Sequence, residues 1–189
     1  MKFTNDFTFQ LSNPGADGFT FVIQNQGPSA LGSSGGDLGY GESYTGVQQS
    51  VAVKFDLYSN DGEGADSTGL YTNGARPTLP STDLSSSGFD LHSGNVLHAH
   101  MTYDGVTLMV TLTDTVTGAT ATQSYPVDIP SIVGASTAYV GFTAGTGLTV
   151  TTQNILTWTF TPQAITTPPA FSVPGGVYTF YTSQEREQP

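Results

Sequence analysis

The stretch "NVLHAHMTYDGVTLMVTLTDTVTGATATQSYPV", residues 95–127, runs through three successive segments in which apolar and polar residues alternate, with turn residues between them. A period of two puts every second side chain on the same face of an extended chain, so each segment reads as a strand with one buried face. Asp104-Gly105 between the first two is a hairpin signal in which both turn positions favour positive φ. Gly118 within "DTVTGAT" supplies the second turn. The same alternation recurs at 7–11, 18–25, 50–58, 68–72, 137–143 and 154–160, beside strands at 95–103, 106–113 and 120–127, and helical spacing is absent. Nine or ten such strands predict an all-β chain folded as an antiparallel β-sandwich. Gly, Pro and Ser clusters at 26–46 and 73–88 read as long loops, where binding residues tend to collect.

Composition narrows the function. The chain has 189 residues with a formal charge of -11, from 15 acids against four bases. A nucleic-acid backbone or an anionic membrane surface would be repelled, and no run approaches the roughly 20 apolar residues of a membrane span. With no cysteine there are no disulfides, thiolate metal sites or thiol nucleophiles. "MKFTNDFTFQ" lacks the apolar core of a signal peptide, while the Lys-poor, Thr/Ser/Gly-rich composition leans towards an extracellular or cell-surface setting; the expectation is an exported protein whose signal sequence is not in this chain. After Phe160 the character changes: "TPQAITTPPAFSVPGG" carries four prolines. Residues 1–162 are read as one domain, and 163–189 as a Pro-rich linker, an extra strand "VYTFYTS" and a charged tail, the start of a truncated module.

Acids gather in "SVAVKFDLYSNDGEGADSTGLYTNG", residues 50–74, where an apolar strand runs into a loop of Asp, Asn, Glu and Gly. Asp56, Tyr58 and Asn60 alternate, so their side chains fall on one side, and the loop can bring Asp61, Glu63 or Asp66 back over them. Calcium takes six to eight oxygens from carboxylates, amides and carbonyls and tolerates irregular loops. Asx-Gly pairs also serve as ordinary turn formers, so spacing alone leaves metal and turn as alternatives.

"NPGADGFTFVIQN" (13–25), "ALGSSGGDLGYG" (30–41), "VAVKFDLYSN" (51–60), "AYVGFTAGTG" (138–147) and "ILTWTF" (155–160) follow one another in the order of the L-type, or legume-type, lectin domain, which the chain resembles from residue 4 to about 160. The resemblance implies a jelly-roll sandwich of the concanavalin type, in a bacterial-like variant. It implies that Asp17 follows a cis peptide and accepts hydrogen bonds from sugar hydroxyls, and that Gly36, with Gly35 beside it, donates a backbone N–H to the same sugar. Asn60 would serve both calcium and sugar. Tyr58 would give its carbonyl to calcium and its ring to the pyranose. Gly145, Thr146, Gly147 and Leu148 lie where the family's specificity loop lies. One Ca²⁺ is expected on Asp56, the Tyr58 carbonyl, Asn60 and Asp66, with Glu63 or Asp61 as substitutes for the last. Plant members hold a second, transition-metal ion through a Glu and a His. Those positions are Lys54 and Ser67 here, so that site is expected to be absent, with the Lys54 ammonium in the vacated space neutralising Asp56 or Asp66.

His98 and His100 share a strand face and read as part of a polar row rather than a metal pair, and His92 is a loop residue with no partner in view. No two acids stand as a glycosidase pair and no G-x-S-x-G or phosphate loop is present, so no enzymatic activity is expected. Trp158 reads as a core residue. The sequence predicts a calcium-dependent carbohydrate-binding domain with glycans as partners, used as a homo-oligomer or multivalent array because a shallow site is weak alone. The alternative is a structural or adhesive surface module, or a fibre subunit, built from the same sandwich.

Overall fold

Ten strands and one short helix make up the computed structural model, which describes residues 1–42 and 45–163. In chain order they are β1 (Lys2–Ser12), β2 (Gly18–Gln24), β3 (Ser50–Asp56), β4 (Ser67–Thr72), β5 (Thr82–Asp83), β6 (Val96–Tyr103), β7 (Thr107–Asp114), β8 (Thr120–Pro126), α1 (Ile129–Val133), β9 (Tyr139–Gly145) and β10 (Thr152–Gln163). They form two five-stranded sheets, ordered β10-β1-β6-β7-β8 and β5-β4-β3-β2-β9, with every pair antiparallel. The expected extra strand "VYTFYTS" lies outside the described residues.

Alternation in β1, β6 and β7 buries one face of each, as a sheet with one solvated side requires. From that face Phe7 and Phe9 meet Phe19 of β2 and Phe55 of β3 across the sandwich. Phe19 and Phe55 stack at 4.6 Å between centroids, and Phe7 meets Phe55 edge-on at 5.7 Å. Such contacts add to area burial because ring edges and faces carry opposite partial charge. Leu97, Ala99, Met101, Leu108, Val110 and Leu112 complete the layer.

Strands β2 and β3 differ: each of their residues is buried, on both faces. Tyr40 and Val47, from the connection between them, pack with Val22, Ala52 and Tyr71 in a second core on the outer side of the sheet. The Tyr40 hydroxyl lies 2.9 Å from Ser50 Oγ and accepts from the Gly74 amide, so this lid is fixed by hydrogen bonds as well as apolar contact. The near-continuous apolar run of "SVAVKFDL" is the sequence trace of that double burial.

Four details depart from the sequence reading. The β6–β7 turn uses positive φ only at Gly105; the Asp104 carboxylate instead accepts from the amides of Val106 and Thr107. Helix α1 was not expected, yet its signals are plain: Asp128 accepts from the Ser131 amide, Pro130 sits in the first turn and Gly134 closes it in the left-handed region. Strand β5, two residues long, is too short for periodicity to reveal. Trp158 points to the inner side but is 42% exposed. It lies on β10, at the edge of its sheet among the described residues, packs edge-on against Phe142 at 5.1 Å and donates to the buried Asn5 Oδ1 at 2.8 Å.

Truncating Phe55 to Ala removes the stack with Phe19, the edge contact with Phe7 and the tilted contact with Phe9 from the centre of the core, and is expected to cost about 3–5 kcal/mol in urea unfolding. Thr122→Ala on the exposed face of β8 should stay within about 0.5 kcal/mol.

Candidate functional site

One end of the second sheet gathers the residues singled out above. The Ala16–Asp17 peptide is cis. Asp17 is 5% exposed and precedes β2 directly; its amide donates to the Gly145 carbonyl at 3.3 Å and its carbonyl accepts from the Leu57 amide at 2.7 Å. The ends of β9, β2 and β3 are thereby tied together. A methyl group placed on Gly35 would stand 3.9 Å from Asp17 Oδ2, and one on Gly147 3.5 Å away. One on Gly36 would press into the Asn60 amide, with Cγ at 2.7 Å. Asp17, Gly35, Gly36, Asn60, Gly145 and Gly147 therefore converge at this end of the sheet.

Neighbouring hydroxyls and amides hold that arrangement. Thr143 donates to the Leu38 carbonyl at 3.0 Å, docking the glycine loop on β9, and Gln153 donates to the Gly145 carbonyl at 3.1 Å. The Gly15 amide donates to Thr151 Oγ1 at 2.8 Å. Thr146 is half-buried, whereas Leu148 is wholly exposed and Tyr58 is half exposed. Asp17 Oδ2 is buried with no hydrogen-bond partner. Burial pushes its carboxyl above the usual range, against the pull of a hydrogen bond from the Gly147 amide.

Below this lie the acids. β3 ends at Asp56, so Tyr58 and Asn60 lie on the loop that follows and not in the expected strand alternation. Asp56 is fully buried; Oδ1 accepts from the Tyr58 amide at 3.1 Å and Oδ2 from Lys54 Nζ at 3.0 Å. The acid the loop returns to this pair is Glu63, whose Oε1 lies 3.9 Å from Lys54 Nζ. Its Oε2 accepts from the Asp61 amide at 2.6 Å, while Oε1 is buried without a partner. Burial would raise the Glu63 carboxyl, but N–H donors from Asp61, Glu63 and Asn60 and the Lys54 charge outweigh it and hold the group low.

Asp66, the expected fourth ligand, is placed elsewhere. Its Oδ1 accepts from the Leu91 amide at 2.8 Å and lies 3.1 Å from His92 Nδ1. His92 thus has the partner the sequence did not show, and with Asp90 it forms the one cluster of three ligating groups found among the described residues. Asp61 is exposed, its amide spent on Glu63. On the opposite sheet His98 and His100 flank Asp6, at 3.3 Å and 2.6 Å, in a partly exposed polar row.

The donor types suit one hard cation: two carboxylates, an amide and the backbone carbonyl of Tyr58, with an unpartnered buried oxygen on Glu63. They do not suit a transition-metal ion, since the positions that would supply a carboxylate and an imidazole hold Lys54 and Ser67. The sequence missed the Thr78 carbonyl, which accepts from Lys54 Nζ at 3.3 Å, because loop carbonyls leave no residue-type signal.

A family model described as the legume lectin domain matches residues 1–172. The chain is 30% identical over 173 residues to favin of Vicia faba, an alignment covering 84% of this chain and 69% of favin. It is 29% identical to a lectin of Dioclea lasiophylla, covering 86% of this chain and 61% of that one. Among solved structures, winged bean acidic lectin complexed with methyl-alpha-D-galactose superposes with a TM-score of 0.72 at 28% identity, over 85% of this chain and 70% of that chain.

Burial, the largest influence, pushes the Asp56 carboxyl from its ordinary 3.8 up to about 6, against the Lys54 charge and the Tyr58 amide. A carboxyl raised in the folded state binds more protons there than in the unfolded chain, so stability falls as pH rises through that window. Asp17 acts in the same direction. In EGTA the urea midpoint is expected to rise between pH 7 and pH 5, and Asp56→Asn to flatten the slope; a wild-type midpoint that drops over this range contradicts the assignment.

Proposed function

The chain belongs to the legume lectin domain family, and from that premise we propose that it is a calcium-dependent carbohydrate-binding domain whose sugar site is formed by Asp17, Gly35, Gly36, Asn60 and the 145–148 loop. The observation that supports this most is Asp17 Oδ2, a buried carboxylate oxygen with no partner beside two glycines. A buried acceptor left unpaired costs free energy, and paired sugar hydroxyls are the donors that would satisfy it. Gly36 leaves no room for a side chain beside Asn60, so its backbone and the Asn60 amide can approach a pyranose closely. Tyr58 and Leu148 offer the exposed apolar surface on which its C–H face would lie.

Legume lectin domains bind metal ions. Here the proposed Ca²⁺ ligands are Asp56, the Tyr58 carbonyl, Asn60 and Glu63 in place of Asp66; the ion would fix Asn60 and neutralise the buried acids. Relatives with this domain are lectins and lectin-domain receptor kinases, which supports a binding rather than catalytic role and an extracellular or cell-surface setting. The proposed domain is 1–162, with glycans as partners.

Asp17→Ala, Asn60→Ala and Gly36→Ala should each abolish glycan-array binding while leaving the urea midpoint within about 1 kcal/mol of wild type. EGTA should do the same and Ca²⁺ restore it. Glycan binding retained by Asp17→Ala and Asn60→Ala sinks this site.

A second reading, a structural building block, is favoured by β10. It is an edge strand among the described residues, carries no charge and exposes Ile155, Leu156 and Trp158. Uncharged edges are templates for pairing with another chain. Light scattering that shows concentration-dependent polymers, abolished by Leu156→Lys, would favour it; a monodisperse monomer would discard it.

A further inference from the structure

Lys54 is one of four basic residues in the chain, and it is fully buried in the middle of β3. A buried lysine persists only where its charge is paired and its protons are accepted. Its ammonium contacts Asp56 Oδ2 at 3.0 Å and the Thr78 carbonyl at 3.3 Å, with Glu63 Oε1 at 3.9 Å and the Tyr71 ring centroid at 5.7 Å. These partners come from separate parts of the chain: β3 itself, the acid loop that follows it, β4 and the segment that leads to β5. A single cation gathering oxygens from a strand and two loops does what a structural metal ion does, with two directed N–H bonds, to Asp56 and Thr78, and charge attraction to Glu63 instead of coordination.

The transition-metal ion of plant relatives does not fit here, as position 54 carries a cation and position 67 a serine. We propose that the Lys54 ammonium is a tethered counter-ion standing in for that second ion, and that it holds the Glu63 turn on β3 with no metal bound. The loop that carries Tyr58 and Asn60 is then ordered in the metal-free protein. Two carboxylates against one ammonium leave one formal negative charge, which suits a single divalent cation beside the group and disfavours a pair. The proposal takes its relevance from the sugar-site reading but concerns ion count and loop order alone.

Two measurements without any sugar decide it. Hydrogen exchange of amides 57–66, followed by mass spectrometry in EGTA, should show protection in the wild type. Lys54→Met, which keeps the length and loses the charge, should exchange there at least about tenfold faster, with β6 and β7 unchanged. Lys54→Arg, which keeps the charge, should stay close to wild type. Should Lys54→Met fail to fold, the wild-type protection and the Arg variant still decide the matter. Titration of calcium-saturated wild type with Mn²⁺ by calorimetry should give no second site. Free exchange of 57–66 in wild-type EGTA samples, equal protection in Lys54→Met, or stoichiometric Mn²⁺ uptake would each overturn the proposal. A failed glycan array with these results intact would refute the sugar site and leave Lys54's role standing.

Discussion

Two backbone hydrogen bonds from Asp17, one to Gly145 and one from Leu57, fasten the ends of β9 and β3 to the start of β2. Everything at this end of the sandwich hangs from them. Each strand delivers one loop, and the loops meet only because glycines stand where they touch. A methyl group on Gly18 would collide with the Phe55 carbonyl, and one on Gly145 with the Gly35 carbonyl and, at 3.0 Å, the Leu38 Cα. These residues act as contact surfaces rather than flexible spacers: removing the side chain lets backbone reach backbone, which brings N–H donors to the surface of a site.

Charge is rationed in the same region. Of the four bases, Lys54 lies under the acid loop and Arg76 pairs with Asp37 at 2.9 Å on the glycine loop. Arg76 is half exposed, so that pair contributes little energy and mainly orients the loop. The three buried carboxylates at this end of the sandwich are treated differently. Asp56 meets an ammonium and an amide, one oxygen of Glu63 meets an amide, and Asp17 Oδ2 meets nothing. Two carboxylate oxygens are thus left without a donor, Glu63 Oε1 below the proposed site and Asp17 Oδ2 at its rim, and each suits an outside partner, a cation for the first and a hydroxyl donor for the second.

Strands with one wet face were legible because alternation is a direct consequence of that geometry; β1, β6, β7 and β8 fall where the pattern puts them, although β1 and β10 run longer at both ends. The second core was not legible, since Tyr40 and Val47 lie in a Gly/Ser-rich stretch that reads as plain loop. Among the proposed site residues, Asp17 directly precedes β2 while Gly36 and Asn60 lie on loops, and all three were read from motif. Which acid returns to Lys54 and Asp56, Glu63 rather than Asp66, is set by loop backbone. Glu63 stands between Gly62 and Gly64, with φ of 91° and 94°, and two left-handed residues turn its side chain inward. The G-E-G triplet was a usable signal. Asp66, one residue before β4, instead accepts from the Leu91 amide.

The same layout separates what can vary from what cannot. Asp17 is set by backbone bonds to β9 and to the loop after β3, and Gly36 by a close contact with the Asn60 side chain, so their positions are fixed by the fold. Leu148 and Val150 project from a connection held by the Gln153 bond to Gly145, the Thr151 bond to Gly15 and the Gly147 amide bond to the Asp17 carboxyl. Between those pins the chain changes length or side chain at little cost to the fold. In the proposed site, affinity for a sugar hydroxyl pair would therefore rest on the pinned part. Discrimination among sugars would then rest on the exposed 146–150 segment, whose apolar side chains Leu148 and Val150 are free of any role in supporting the sandwich.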